Sequence, residues 1–179
     1  MKIYFTRHGQ TFANVDRLIS GGEWDVALTD EGRAQARKFA KRNASIIANC
    51  DLFVSSSMQR AIETCQLMKA ASKREHLIKE EFVEWYFGDW TKKPVAELGE
   101  FFKDQLSPPG GESFEDFNKR IEKAFRSLEA LGKKTVLVVA HGCVASVLQN
   151  IVHGKTQRVK NCCLISVELE AGEFKNLEL

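Results

Sequence analysis

The chain has 179 residues, 44% apolar and 28% charged, with a formal net charge of +2. This is ordinary soluble-protein composition, long enough for one domain with a sizeable core. The balanced charge gives no reason to expect a nucleic-acid or membrane partner, and no segment approaches the ~18 uninterrupted apolar residues of a membrane span.

Met1-Lys2-Ile3-Tyr4-Phe5 reads as a short buried strand. It starts at once, which leaves no room for a signal peptide and makes the cytoplasm the expected location. The strand runs into Thr6-Arg7-His8-Gly9-Gln10-Thr11. Thr29 caps a helix to about Ala48, with Asp30 and Glu31 favourable at its start. Asp51–Val54 is a second strand. It leads through Ser55-Ser56-Ser57 to a helix from Met58 to Ala71, with Arg60 in its first turns. His76-Leu77-Ile78 is a short strand. The segment from about Glu81 to Gly111 is rich in aromatics, with a short helix from Val95 to Lys103 and a loop at Pro108-Pro109-Gly110-Gly111.

Ser113 caps a helix to Leu131, with Asp116 at the matching position. Its apolar stripe, Phe114, Phe117, Ile121, Ala124, Phe125 and Leu128, reads as core. Thr135–Ala140 is the strongest buried-strand pattern in the chain and runs directly into His141-Gly142. A helix from Gly142 to His153 follows. Leu164–Leu169 and Phe174–Leu177 flank Ala171-Gly172 as a hairpin. Strands alternating with helices predict a three-layer α/β/α fold with a mostly parallel sheet, closed by an antiparallel hairpin. Residues 1–179 are expected to form one domain, with 81–111 as a small cap insertion.

The strand ends carry the chemistry. In open α/β sheets ligands bind outside the carboxyl ends of the strands. Glycine lets backbone approach a ligand, and arginine presents a planar fork suited to phosphate. A neutral histidine can carry a covalent intermediate. Arg7-His8-Gly9 therefore suggests phosphoryl chemistry on His8; the plain alternative is a histidine that caps a turn. The second strand ending, His141-Gly142, could bring two imidazoles to one rim. Arg60, near a helix start that favours anions, adds a third element. The two histidines sit in no His-x-His or His-Glu-x-x-His pattern, so no metal ligand set is expected.

Two other phosphate motifs are absent. Gly154-Lys155-Thr156 lacks the leading glycine of a P-loop, having Gln149 there. No Cys-x5-Arg loop exists: Ser56, Ala71, Gln149, Glu168 and Leu169 stand where the arginine belongs. The five cysteines include no Cys-x-x-Cys pair, which argues against disulfides or structural zinc. Cys143 is either a packing residue or a redox-sensitive thiol beside the site.

In order along the chain stand Arg7-His8-Gly9-Gln10-Thr11 with Asn14, Arg17 and Ser20-Gly21; Leu28-Thr29-Asp30-Glu31-Gly32 with Gln35-Ala36; and Ser56-Ser57-Met58-Gln59-Arg60-Ala61 with Thr64. Glu84 with Phe87-Gly88-Asp89-Trp90 follows, then Pro109-Gly110-Gly111-Glu112-Ser113 with Arg120, and Val138-Val139-Ala140-His141-Gly142. This ordered set resembles the histidine phosphatase superfamily, which includes the phosphoglycerate mutase-like enzymes. Two departures stand out. Trp90-Thr91-Lys92 replaces a frequent Trp-Glu-Gly, and Cys143–Val147 carries no arginine after the second His-Gly.

The resemblance implies a metal-independent phosphomonoester hydrolase, without a cofactor, acting through phosphohistidine on a small phosphorylated metabolite. His8 is the implied nucleophile, with Arg7, Arg60 and a protonated His141 around the phosphoryl oxygens. Asn14, Ser20, Gly21 and Gly142 complete the binding pocket. Glu84 is the implied acid/base, with Glu80 and Glu81 as nearby rivals. The competing readings are a phosphoglycerate-type mutase and a noncatalytic phospholigand-binding scaffold. The substrate's identity and the oligomeric state are not readable.

Overall fold

The computed structural model describes residues 1–69, 72–102 and 104–178. Among them, β1 (Lys2–Arg7), β2 (Leu52–Ser56), β3 (His76–Lys79), β4 (Thr135–Ala140), β5 (Ile165–Glu170) and β6 (Glu173–Glu178) form one sheet. Its order is β3-β2-β4-β1-β5-β6. The first four strands run parallel; β5 is antiparallel to β1, and β6 to β5. The helices are α1 (Phe12–Val15), α2 (Asp30–Arg42), α3 (Ala44–Asn49), α4 (Gln59–Lys69), α5 (Phe114–Ser127) and α6 (Gly142–His153).

Strand alternation builds two cores. Successive side chains point to opposite faces. Ile3, Phe5, Leu52, Val54, Val136 and Val138 meet Phe117, Ile121, Phe125, Val144 and Leu148 of α5 and α6. Phe53, Leu137 and Val139 meet Ala36, Phe39, Cys65 and Met68 of α2 and α4 on the other face. Each large apolar side chain buried this way contributes about 1.5–3 kcal/mol relative to exposure. The result is the expected three-layer fold with a mostly parallel sheet and a C-terminal antiparallel hairpin. The hairpin turns at Ala171 and Gly172, both at positive φ (51° and 79°), as a two-residue connection requires.

Three helices differ from the pattern read in the sequence. The helix expected to run to Ala48 breaks at Asn43. There the backbone leaves the helical basin, and the Asn43 side chain donates to the Phe39 carbonyl at 3.0 Å. The helix after Ser113 ends at Ser127, and Glu129–Leu131 is a 3-10 turn stopped by Gly132 at φ 64°. The helix expected over Val95–Lys103 is a 3-10 turn over Val95–Leu98, stopped by Gly99 at φ 58°; Lys103 lies outside the described residues. So do Ala70 and Ala71, at the expected end of α4.

The segment after β3 is anchored by Trp85. Its ring stacks on Phe117 of α5 at 5.2 Å and 7°, and lies within 5.1–6.0 Å of Phe87, Phe101, Phe102 and Phe114. At Gly88, φ 47°, a Cβ would fall 2.4 Å from the backbone of Gly110 and Gly111. The Pro-Gly-Gly loop and Gly88 therefore close on each other as only glycines allow. No helix of the described residues is long and apolar enough to cross a membrane.

Candidate active site

β1 and β4 are neighbours, with Arg7 opposite Ala140. The residues that follow, His8 and His141, therefore emerge side by side. The His8 amide donates to the Ala140 carbonyl at 2.9 Å, and the two rings lie 5.3 Å apart at 61°. His8 is 3% exposed and His141 fully buried.

The ring nitrogens are in defined settings. His8 Nδ1 lies 2.7 Å from the Gly9 carbonyl. A carbonyl only accepts, so Nδ1 carries the proton and Nε2 holds the free lone pair. His141 Nε2 lies 2.8 Å from Ser56 Oγ, which also accepts from the Met58 amide. With that amide donating to it, the Ser56 hydroxyl is free to donate to His141 Nε2. The proton of His141 is then on Nδ1, and Nδ1 has no partner among the described residues.

Burial first, then Arg60 and Arg7, push the His8 pKa well below the ordinary histidine value. Burial, Arg60, His8 and Arg7 do the same to His141. His141 is thus a neutral N–H donor here, not the protonated group expected from sequence. Desolvation and the repulsion of two neighbouring arginines both disfavour its charged form.

Arg60, in the first turn of α4, is 1% exposed. It donates to the Trp24 carbonyl and Asp25 Oδ1, both at 3.1 Å, and to the Gly21 carbonyl at 2.8 Å. Arg7 Nη1 donates to the Val159 carbonyl at 3.1 Å. Thr64 Oγ1 takes the Gly9 amide at 3.0 Å and donates to the Arg60 carbonyl at 2.7 Å, tying the Gly9 loop to α4. Among the described residues, the buried side-chain nitrogens and oxygens without a partner are Arg7 Nε, Arg60 Nε and His141 Nδ1. Leaving such groups unpaired costs about 1–3 kcal/mol each, and they cluster around His8.

Glu84 faces the same place. Its Oε1 accepts from the Trp85 amide at 3.1 Å and its Oε2 from the Cys143 amide at 3.2 Å. A Cβ on Gly142 would lie 3.5 Å from Arg7 Nε and 3.8 Å from Glu84 Oε2, so Gly142 sits between the two. Glu84 is 8% exposed, whereas Glu81 is exposed and paired with Lys79 at 3.4 Å. Glu80 is also exposed.

A cavity of about 530 Å³ opens beside these groups. Arg7, Asn14, Ser20, Gly21, Glu84 and Gly142 line it, together with apolar Phe87, Val95, Phe101 and Phe102. His8, Arg60 and His141 are not in its wall, in keeping with their burial. The structure thus brings all nine sequence-selected site residues to one locality. Lys92 sits over the Trp24 ring at 5.3 Å. Cys143 also lines the cavity; burial and Glu84 push its thiol well up, the reverse of an activated thiolate. No group of three or more His, Cys, Asp or Glu side chains among the described residues is placed to share a metal ion.

Sequence reasoning missed several supports. Asn161 Nδ2 donates to the His8 carbonyl at 2.9 Å and to Asn14 Oδ1 at 3.1 Å. This fixes the Asn14 amide so that its own NH2 is not spent on either bond. Arg120 forks onto Glu112 and also donates to the carbonyls of Glu81, Val83 and Glu84. Asn161 carries no local motif; Arg120 stood in the resemblance without a role.

The profile of the histidine phosphatase superfamily (branch 1) matches residues 3–179. The chain belongs to the histidine phosphatase superfamily. Its likeness to named members agrees with the site. It is 30% identical over 159 residues to adenosylcobalamin/alpha-ribazole phosphatase of Escherichia coli, covering 83% of this chain and 77% of that protein. It is 26% identical over 179 residues to an uncharacterized phosphatase of Bacillus subtilis, covering 97% and 91%. Its fold matches the alpha-ribazole phosphatase structure from Shigella flexneri with TM-score 0.82 and 26% identity, covering 97% and 93%. This histidine phosphatase is a phosphomonoester hydrolase.

Proposed function

We propose that the protein hydrolyses a small phosphorylated metabolite through phosphohistidine on His8, without a metal, as one domain whose residues 81–111 cap the site. The observation that carries this is the set of unpaired buried donors, Arg7 Nε, Arg60 Nε and His141 Nδ1, around an imidazole whose Nδ1 is already tied.

In the first step His8 Nε2 attacks phosphorus while the ester P–O bond breaks. The leaving alkoxide takes a proton from the Glu84 carboxyl. Arg7, Arg60 and His141 donate to the phosphoryl oxygens; each such donor is worth ~3 kcal/mol of barrier, roughly a hundredfold in rate. In the second step water attacks phosphorus, passes a proton to the Glu84 carboxylate, and the N–P bond breaks. Asn14, Ser20, Gly21 and Gly142 shape the pocket for the phosphoryl group. The names of the relatives support a metabolite ester of moderate size, and the 530 Å³ cavity admits one.

The test is phosphate release from p-nitrophenyl phosphate and from a panel of phosphorylated metabolites, ranked by kcat/KM. Turnover that yields inorganic phosphate is expected. Binding without turnover would indicate a scaffold. Interconversion of phosphoglycerate isomers faster than phosphate release would indicate a mutase.

A further inference from the structure

Arg158 is an arginine held against the cavity without a side-chain partner among the described residues. It lines the same wall as Arg7 and Glu84, and it is exposed. Its guanidinium has no hydrogen-bond or carboxylate partner among the described residues. Loose surface arginines often look like this, but the backbone on both sides of Arg158 is fastened. On one side Gln149, 2% exposed on α6, clamps Gln157 in both directions. Gln149 Nε2 donates to the Gln157 carbonyl at 3.1 Å, and Gln149 Oε1 accepts the Gln157 amide at 3.0 Å. On the other side the Val159 carbonyl takes the bond from Arg7 Nη1 at 3.1 Å. Two residues later Asn161 is bonded to the His8 carbonyl.

The loop is thus built onto the phosphate-binding arginine itself, and Arg158 is carried between two fixed points. Arg158 is close enough to Arg7 for its charge to act on that guanidinium. Arg17 adds a second exposed cation to the same cavity wall. The carboxylates on that wall are Glu84, the proposed proton donor, and Glu100. Within the phosphatase reading above, on which this rests, one end of the substrate lies against Arg7 and the rest extends along the cavity past Arg158.

We infer that Arg158 is a specificity residue that binds a second anionic group on the alcohol part of the substrate, a carboxylate or a further phosphate. A planar fork of donors matches either anion. Holding the backbone beforehand lowers the cost of ordering the side chain on binding.

The experiment measures dissociation constants by calorimetry in the His8→Ala background, where no turnover intervenes. Two matched pairs serve as probes. Glycerol 3-phosphate and 3-phosphoglycerate differ by a carboxylate. Fructose 6-phosphate and fructose 1,6-bisphosphate differ by a phosphate. The second member of at least one pair is expected to bind roughly ten- to hundredfold more tightly, the range of a charge-assisted hydrogen bond. The responding pair identifies the anion. Adding Arg158→Gln should bring that ratio to about one, and Arg158→Lys should keep part of it. A ratio near one in both pairs before Arg158 is changed overturns the inference, as does a ratio that survives Arg158→Gln. Failure of the wild-type protein to release phosphate from any ester would instead overturn the phosphatase reading, since these binding ratios do not depend on turnover.

Discussion

Arg120 grips Glu112 with two parallel bonds, Nε to Oε1 at 2.8 Å and Nη2 to Oε2 at 2.7 Å. The same guanidinium donates to the carbonyls of Glu81 and Val83, both at 2.9 Å, and reaches that of Glu84 at 3.4 Å. One planar side chain on α5 therefore holds the backbone that presents Glu84. Replacing Arg120 by Gln is expected to lower kcat about tenfold, more on alkyl phosphates than on p-nitrophenyl phosphate, because it acts through the proton donor. Lysine cannot reproduce the fork and should rescue little. Equal losses on both substrates would show a general structural role.

Glu84 itself should matter most when the leaving group is poor. An alkoxide needs a proton as it departs, whereas nitrophenolate leaves readily unaided. Glu84→Gln is expected to slow phosphorylation of His8 by an alkyl phosphate at least a hundredfold, with a much smaller effect on p-nitrophenyl phosphate. Exposed Glu81, changed to Gln, should do little to either. Pre-steady-state measurement with both substrates in each variant checks this. A large leaving-group-dependent effect at Glu81 would move the acid there.

Stability should fall in mild acid. Burial and the two arginines hold His8 and His141 below their ordinary pKa, so the unfolded chain binds protons first as pH drops past ~6.5. In the window between the unfolded and folded values, each group costs up to ~1.4 kcal/mol of stability per pH unit. Above that window the penalty is absent. The His8→Asn, His141→Asn double variant should therefore lose less stability than wild type between pH 7.5 and 5.5. Urea-denaturation midpoints at the two pH values measure it, and equal losses in both proteins would contradict the sign.

Removing metal should not remove activity. The proposed charge neutralisation comes from Arg7 and Arg60, with His141 as a neutral hydrogen-bond donor and no step routed through a metal ion. Chelated, metal-free protein is expected to retain its full kcat. Loss on chelation with recovery on one divalent ion would require a different mechanism.

The sheet was legible because β1, β2 and β4 are apolar runs too short and β-branched for helices. The two His-Gly strand ends mark the rim in the sequence itself. What escaped was either a local backbone event or a partner distant in sequence. Asn43 sits inside an apolar helical pattern, yet its backbone leaves the helical basin there while its side chain bonds the Phe39 carbonyl. Ser56 meets His141 across β2 and β4, and Asn161 meets His8 from a loop far along the chain. No spacing rule relates residues that only the sheet brings together. Cys143–Val147 carries no arginine after His141-Gly142. The structure places Arg158 on the cavity wall by way of a buried Gln149 clamp, which has no local sequence signature.

The most direct test of the mechanism is to trap the intermediate. After rapid quench of a reaction with labelled substrate, the account predicts one phosphoryl group on His8, acid-labile and alkali-stable, forming and decaying fast enough to carry turnover. It should be missing, with activity, from a folded His8→Ala protein. Full turnover by that variant, or label trapped on a residue other than His8, would contradict the account.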